Sequence, residues 1–379
     1  MLPLIKGCDV VLKKMIVIFC MTVLFVCITG CSAVFSNSYR SEQDFQGNEK
    51  INLDANVQVV QNYSELRRLI FGMVNNHSET TELVFSGYTG NVVSDIASVC
   101  NAIKTESSYG AYCVDYVSYD LRQIVSSYEA NIHISYLYSA EELQNLQTTS
   151  NMESFTELLI HALEKEDDKL VVRVNNGVSE TENVRNIMEH AIRNHPLSIS
   201  YQPKFTVKIF DGNTSQKIYD VSIQYDNQNN NLTRLEKINE SIIRMVSDIK
   251  EDSIENRLVA AAVSLSDRCV YNQQMDGSAY LALVEGESNS EGIACAFKAL
   301  CDQMGVECQV VTGRMDKQPY FWNIVKIEDA YYHMDISALG QLGAENSLFM
   351  KDSEKQVNCW WNQSEYPECD GPLTYAAVK

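Results

Sequence analysis

The sequence predicts an α+β fold: two small repeated α/β sandwich modules followed by a larger mixed domain. Three observations carry that expectation. Apolar residues recur at helical spacing in paired segments, a short β-branched run follows each, and the whole order repeats after about ninety residues. A chain of 379 residues that is 45% hydrophobic and 21% charged has the length for two or three buried cores.

Residues 1–30 read as an export signal. Lys6, Lys13 and Lys14 precede the uncharged run MIVIFCMTVLFVCITG, and Cys31 follows. A basic start, a short apolar stretch and small residues at its end make a secretory signal. The run Ile28 to Cys31 resembles a bacterial lipobox, which implies cleavage before Cys31 and diacylation of its thiol. The rival is a transmembrane anchor. The run is shorter than the ~20 residues a span takes, and its Gly-Cys ending favours the lipoprotein. Two acyl chains hold a protein far more firmly than one. The expected address is the outer face of a cell membrane, lipid-anchored. Residues 31–50 are polar and lack periodicity, as a flexible linker does.

Without the signal, 27 basic and 49 acidic residues leave a net charge near −22. That excludes nucleic acid and anionic lipid as natural partners. Eight cysteines remain: Cys100, Cys113, Cys269, Cys295, Cys301, Cys308, Cys359 and Cys369. An even number outside the cell permits disulfides, with Cys359–Cys369 and Cys100–Cys113 as plausible local pairs. No Cys-x-x-Cys or His-rich spacing suggests zinc, so neither metal nor cofactor is expected.

The first module spans 51–147 and the second 148–230. Leu66, Leu69, Ile70 and Met73 line one helix face, as do Phe155, Leu158, Leu159 and Ala162 in the second copy. The strands "TELVFSG" and "DKLVVRV" follow. A second helix comes next, marked by Val92, Ile96, Val99 and Ile103, then by Val184, Ile187, Met188 and Ala191. Each copy closes on an alternating strand, Ile132-Ile134-Tyr136 or Val221-Ile223-Tyr225. Helices on one face of a small sheet would bury these stripes. His133 sits within an alternating strand, and His161 and His190 lie on helices without acidic or cysteine partners at useful spacing, so the modules read as spacers or protein-binding units.

Residues 231–379 form the last domain. Two helices, "NNNLTRLEKINESIIRMVSDIKED" and "SIENRLVAAAVSLSDRCVYN", lead to "GESNSEGIACAFKALCDQMGVECQVVTG". In that stretch Ala294, Phe297, Leu300, Cys301 and Met304 form a helix face that Gly305 ends. Two strands follow, "FWNIVKI" and "AYYHMDIS", joined by a turn at Glu328-Asp329. This order resembles the transglutaminase-like superfamily, relatives of the papain-like cysteine proteases. There a cysteine starts a helix, a later strand carries His-Ala-Trp-Asn, and an aspartate ends the next aromatic strand. The tail "SLFMKDSEKQVNCWWNQSEYPEC" also resembles the segment closing the family's bacterial members.

Carried over by position, the resemblance puts Ser290 at the cysteine, Tyr320 at the histidine and Asp335 at the aspartate. A thiolate is stabilised by a helix N-terminus and an imidazolium, and the aspartate orients that imidazole. Here two of the three groups are missing. Serine needs an adjacent base, and an unperturbed tyrosine (pKa ~10) is protonated at neutral pH. His333 lies two residues from Asp335, and with Trp322 it is expected to support the site from behind. Cys295 should turn away from the pocket, about 140° around the helix from Ser290. The expectation is a non-catalytic domain on a membrane-anchored lipoprotein, with an extracellular protein or cell-wall polymer as partner. Two alternatives are an amide hydrolase or acyl transferase using Ser290 with His333, and a structural surface spacer.

Overall fold

Asparagine side chains start the helices of the first two modules. Asn62, Asn91 and Asn151 each accept a backbone N–H of the first turn, opening α1 (Tyr63–Asn75), α2 (Val92–Thr105) and α3 (Met152–Glu164). The fourth long helix, α4 (Thr181–Asn194), has no side-chain cap. The computed structural model describes residues 57–200, 203–225 and 231–378, so the export signal, Cys31 and the linker lie outside the described residues. Ile51–Lys379 forms one compact unit.

The first sheet contains β1 (Val57–Val59), β2 (Thr80–Phe85), β3 (Val114–Ile124) and β4 (Ser127–Tyr136), in the order β1-β2-β4-β3. The second contains β5 (Gln147–Thr149), β6 (Lys169–Val174), β7 (Lys204–Phe210) and β8 (Lys217–Gln224), in the order β5-β6-β8-β7. In both, the first pair is parallel and the others antiparallel. Leu66, Ile70 and Met73 pack with Ile96, Val99 and Ile103 over Leu83, Ile132 and Ile134. Phe155, Leu159, Val184 and Met188 do the same over Val172 and Val221, while Leu158 and Ile187 are only half-buried.

Each closing strand read from the sequence proves to be the inner half of a hairpin. The outer strands β3 and β7 sit at sheet edges, and β3 is exposed along most of its length. An edge strand wet on both faces has no inward stripe to betray it. The modules abut. Ile218 of β8 joins the first core, Asn213 Nδ2 donates to the Thr105 carbonyl at 2.9 Å, and the Arg173 guanidinium lies 4.7 Å from the Tyr109 ring centre.

The last domain begins with α5 (Asn231–Asp248) and α6 (Ile254–Arg268), then β9 (Val270–Tyr271), which pairs in parallel with β10 (Glu287–Ser288). Next come α7 (Ser290–Met304), β11 (Cys308–Met315), β12 (Gln318–Ile327), β13 (Ala330–Met334) and α8 (Ile336–Leu342). The chain continues through β14 (Leu348–Met350), a single helical turn α9 (Asp352–Lys355) and β15 (Cys359–Trp361). The five strands form an antiparallel sheet ordered β14-β13-β12-β11-β15. Gly305 ends α7 at φ 73°, where the Val306 N–H returns to the Cys301 carbonyl at 2.9 Å.

Alternation along β12 decides which side chains reach which core. Phe321, Val325 and Ile327 join the core of α7, with Phe297, Leu300 and Cys301. Tyr320, Trp322 and Ile324 form a separate core with Val311, Trp361 and Tyr366. No helix among the described residues is long and apolar enough to cross a membrane. All eight described cysteines are free thiols, so Cys359–Cys369 and Cys100–Cys113 are not paired. Cys359 lies on β15, whereas the backbone of Cys369 is tied through both its N–H and its C=O to Asp352.

Candidate functional site

Ser290 is the first residue of α7. The cap before it, Asn289, accepts the N–H groups of Glu291 and Gly292 at 2.9 and 3.2 Å. Those are donors that could otherwise stabilise an anion at a helix start. Gly292 must be glycine here, because a Cβ would overlap Ser288 Oγ and the Ser278 backbone. The Ser290 hydroxyl accepts the Phe321 N–H at 3.2 Å. Among the described residues no side-chain base accepts a hydrogen bond from it.

Tyr320 and Asp335 are brought together. The phenol donates to Asp335 Oδ1 at 2.9 Å and lies 3.2 Å from Oδ2. Burial first, and the neighbouring carboxylate second, push the Tyr320 phenol far above its ordinary range. It is a permanent donor and no base. Asp335 lies just past β13 rather than within it, and it caps α8 by accepting the Ala338 N–H at 3.1 Å. Its Oδ2 also takes the Lys355 ammonium, which stands 4.6 Å from the centre of a Trp322 ring and 5.5 Å from that of Tyr320. The carboxylate is therefore saturated by two neutral donors and one cation.

His333 does not face Asp335. The Trp322 indole N–H donates to its Nδ1 at 2.9 Å, and its Nε2 meets Asp352 Oδ1 at 2.8 Å. Indole can only donate, so Nδ1 must carry the lone pair and Nε2 the proton. Burial lowers the imidazole pKa to about 4, with Asp352 opposing the shift and Lys355 adding to it. The ring is neutral, fully buried and committed at both nitrogens. His333, Asp352 and Cys369 bring three ligand-type atoms within 4.8 Å of one another. A metal on Nε2 would demand an imidazolate, since a ligating histidine ordinarily donates its other N–H whereas here that nitrogen accepts. This donor set does not suit a cation.

Cys295 turns away from Ser290, as the helical spacing requires. Its Sγ donates to the Arg193 carbonyl at 3.7 Å, and burial pushes the thiol far up. Arg193, near the end of α4, reaches from the second module to pair with Glu291, beside Ser290. Its guanidinium also binds Glu189 at 2.9 Å and lies 4.8 Å from the Phe321 ring centre. Asn194 Oδ1 accepts the Val310 N–H at 2.9 Å. Helix α4 thus covers the start of α7. A small pocket, half open to solvent, lies between them and is lined by Arg193, Ile199, Glu291 and Cys295.

Ser290, Tyr320, Trp322 and Asp335 are 4%, 2%, 1% and 3% exposed. The residues that sequence reasoning missed are the ones completing this closure: Arg193, Asp352 and Lys355. The last two share one helical turn, and their i, i+3 spacing in "DSEK" matches the pair His333-x-Asp335 on the neighbouring strand end. A carboxylate to accept from His333 and a cation to meet Asp335, three residues apart, were the available signal.

No family model matches the chain, and no curated protein matches it. Among solved structures, it is similar to the crystal structure of a TGase at 11% identity and a TM-score of 0.29, over 61% of this chain and 69% of that one. It is also similar to a candidate cysteine protease from Cytophaga hutchinsonii at 12% identity and a TM-score of 0.25, over 39% of this chain and 65% of that one. The chain thus spans about two thirds of each. Both are partial overlaps.

Proposed function

We propose that this is a membrane-anchored extracytoplasmic lipoprotein whose C-terminal domain is transglutaminase-like in plan and catalytically silent. In this reading it works as a structural surface unit. The observation that carries it is the closure of the triad-equivalent positions: Tyr320, Lys355 and the Ala338 N–H occupy Asp335, and Ser290 holds a backbone N–H. A groove built on Ser290, Tyr320 and Trp322 would have to be open to take an extended peptide or a wall polymer. These side chains instead form packed core, which favours the structural role over binding at that place. The matching strand orders of the two sheets support a duplicated module beneath it.

Purified full-length chain is expected to show neither amine crosslinking to glutamine nor amide hydrolysis above background. Ser290→Ala should leave both rates unchanged. Turnover that disappears in Ser290→Ala or His333→Ala would overturn the proposal, because losing a working triad member costs orders of magnitude in rate. For the anchor, mass spectrometry of the mature N-terminus should find Cys31 first and carrying acyl chains. An unmodified Cys31, or a chain that starts elsewhere, would remove the anchor and leave the silent domain standing.

A further inference from the structure

Strand β3 is the longest among the described residues and forms one edge of its sheet. It turns into β4 through the two-residue loop Val125-Ser126, with Val125 at φ 52° and Ile124 paired to Ser127. A hairpin this tight closes on a pair that exchanges both backbone hydrogen bonds, and bonded and open pairs alternate from there. Ile124, Arg122, Asp120 and Ser118 therefore bond to β4. Val117, Tyr119, Leu121 and Gln123 turn their N–H and C=O groups to the free edge. Natural edges are blunted by short length, lysine or proline. The matching edge of the second module, β7, has seven residues, with Lys204 and Lys208 exposed along it. β3 has eleven residues without lysine or proline, and Tyr116, Tyr119 and Ile124 are exposed on it. Beside it, Val125 is 94% exposed.

The two faces of β3 differ. Val117, Tyr119 and Leu121 stand opposite Ile134, Ile132 and Ala130, so they carry the apolar face of the core out to the rim. On the other face the exposed side chains of Asp120 and Arg122 meet at 2.7 Å. We propose that β3 is a self-association edge, on which a second copy of this chain docks its own β3 antiparallel about a two-fold axis at Leu121. An axis through a residue whose backbone turns outward matches donors to acceptors along both edges. Charge selects Leu121. About that axis Asp120 stands directly opposite the second copy's Arg122, and Arg122 opposite the second copy's Asp120, so four charges alternate in a ring. An axis at Tyr119 would instead set Asp120 against Ser118 and Arg122 against Tyr116. On the apolar face Leu121 meets its own copy, Tyr119 meets Gln123, and Val117 reaches Val125. The two four-stranded sheets become one of eight. A strongly acidic chain repels its copy in general, so matched charge is what brings this edge, and not the rest of the surface, into contact.

Sedimentation of the purified full chain over rising concentration should show monomer and dimer in equilibrium. Arg122→Asp puts like charges opposite each other and should leave the chain monomeric, with an unchanged circular dichroism spectrum because both side chains are exposed. Exchanging the pair, Asp120→Arg with Arg122→Asp, rebuilds the ring and should restore the dimer. Leu121→Cys brings two thiols together on the axis and should give a disulfide-linked dimer under mild oxidation, whereas Tyr119→Cys should not. A monomer at every concentration would overturn the proposal, as would a dimer that Arg122→Asp leaves intact. Linkage through Tyr119→Cys in place of Leu121→Cys would overturn it equally, since the axis would then lie where the charges do not meet.

Discussion

Asp335→Asn is expected to cost about 3–5 kcal/mol, the toll of stranding one member of a buried ion pair. The amide oxygen can still accept the Ala338 N–H, so the cap on α8 survives. The same oxygen keeps the Tyr320 hydroxyl, whereas the amide NH₂, in place of Oδ2, faces the Lys355 ammonium donor to donor where both side chains are buried. Whole domains are stable by only about 5–15 kcal/mol, so the variant should unfold at markedly lower urea. Replacing the pair together, Asp335→Asn with Lys355→Met, should recover much of the loss, because an apolar side chain of similar volume needs no partner. A single variant within about 1 kcal/mol of the natural protein would mean that solvent reaches the pair, and the closed site would have to be abandoned.

The second large effect is a loss of stability in mild acid. His333 titrates near 4 when folded and near 6.5 when free, so the unfolded chain binds the extra proton first. Stability is full above pH 6.5, falls as pH drops toward 4, and levels below that. The shift sets the scale at about 3 kcal/mol. Protonation would also set an imidazolium N–H against the Trp322 indole N–H, with the Lys355 ammonium nearby. Asp352 and Asp335 are the anions that oppose this. In His333→Gln, the urea midpoint should be lower at pH 7.5 yet vary less between pH 6.5 and 4. Parallel pH profiles for the two proteins would assign the acid sensitivity to other groups.

Much of this architecture was legible in the residues. The stripes of α1 and α2 fall inward as their spacing requires, Gly305 ends α7, and Ser290 stands at a helix start. These features depend on neighbours within a turn or two, where sequence and space coincide. Strand β3 left no trace because it is a wet edge. Arg193 and Glu291 lie 98 positions apart, and no local pattern encodes their meeting. The site was half legible. Tyr320 beside Asp335 follows from the order of strands, whereas Lys355 filling the space before them depends on where a single turn of helix lands.

The grip of Arg193 on Glu291 and Phe321 has a practical side. A cut before residue 231, where composition invites one, would strip away the guanidinium that pairs with Glu291 and stacks on Phe321. It would also remove the Asn194 acceptor of Val310 and the carbonyl that takes the Cys295 proton. The shortened protein would carry a raw apolar wound beside α7 and would tend to self-associate. A cut ahead of β5 would repeat the damage one module earlier, where Ile218 sits in the first core and the Arg173 guanidinium lies over Tyr109.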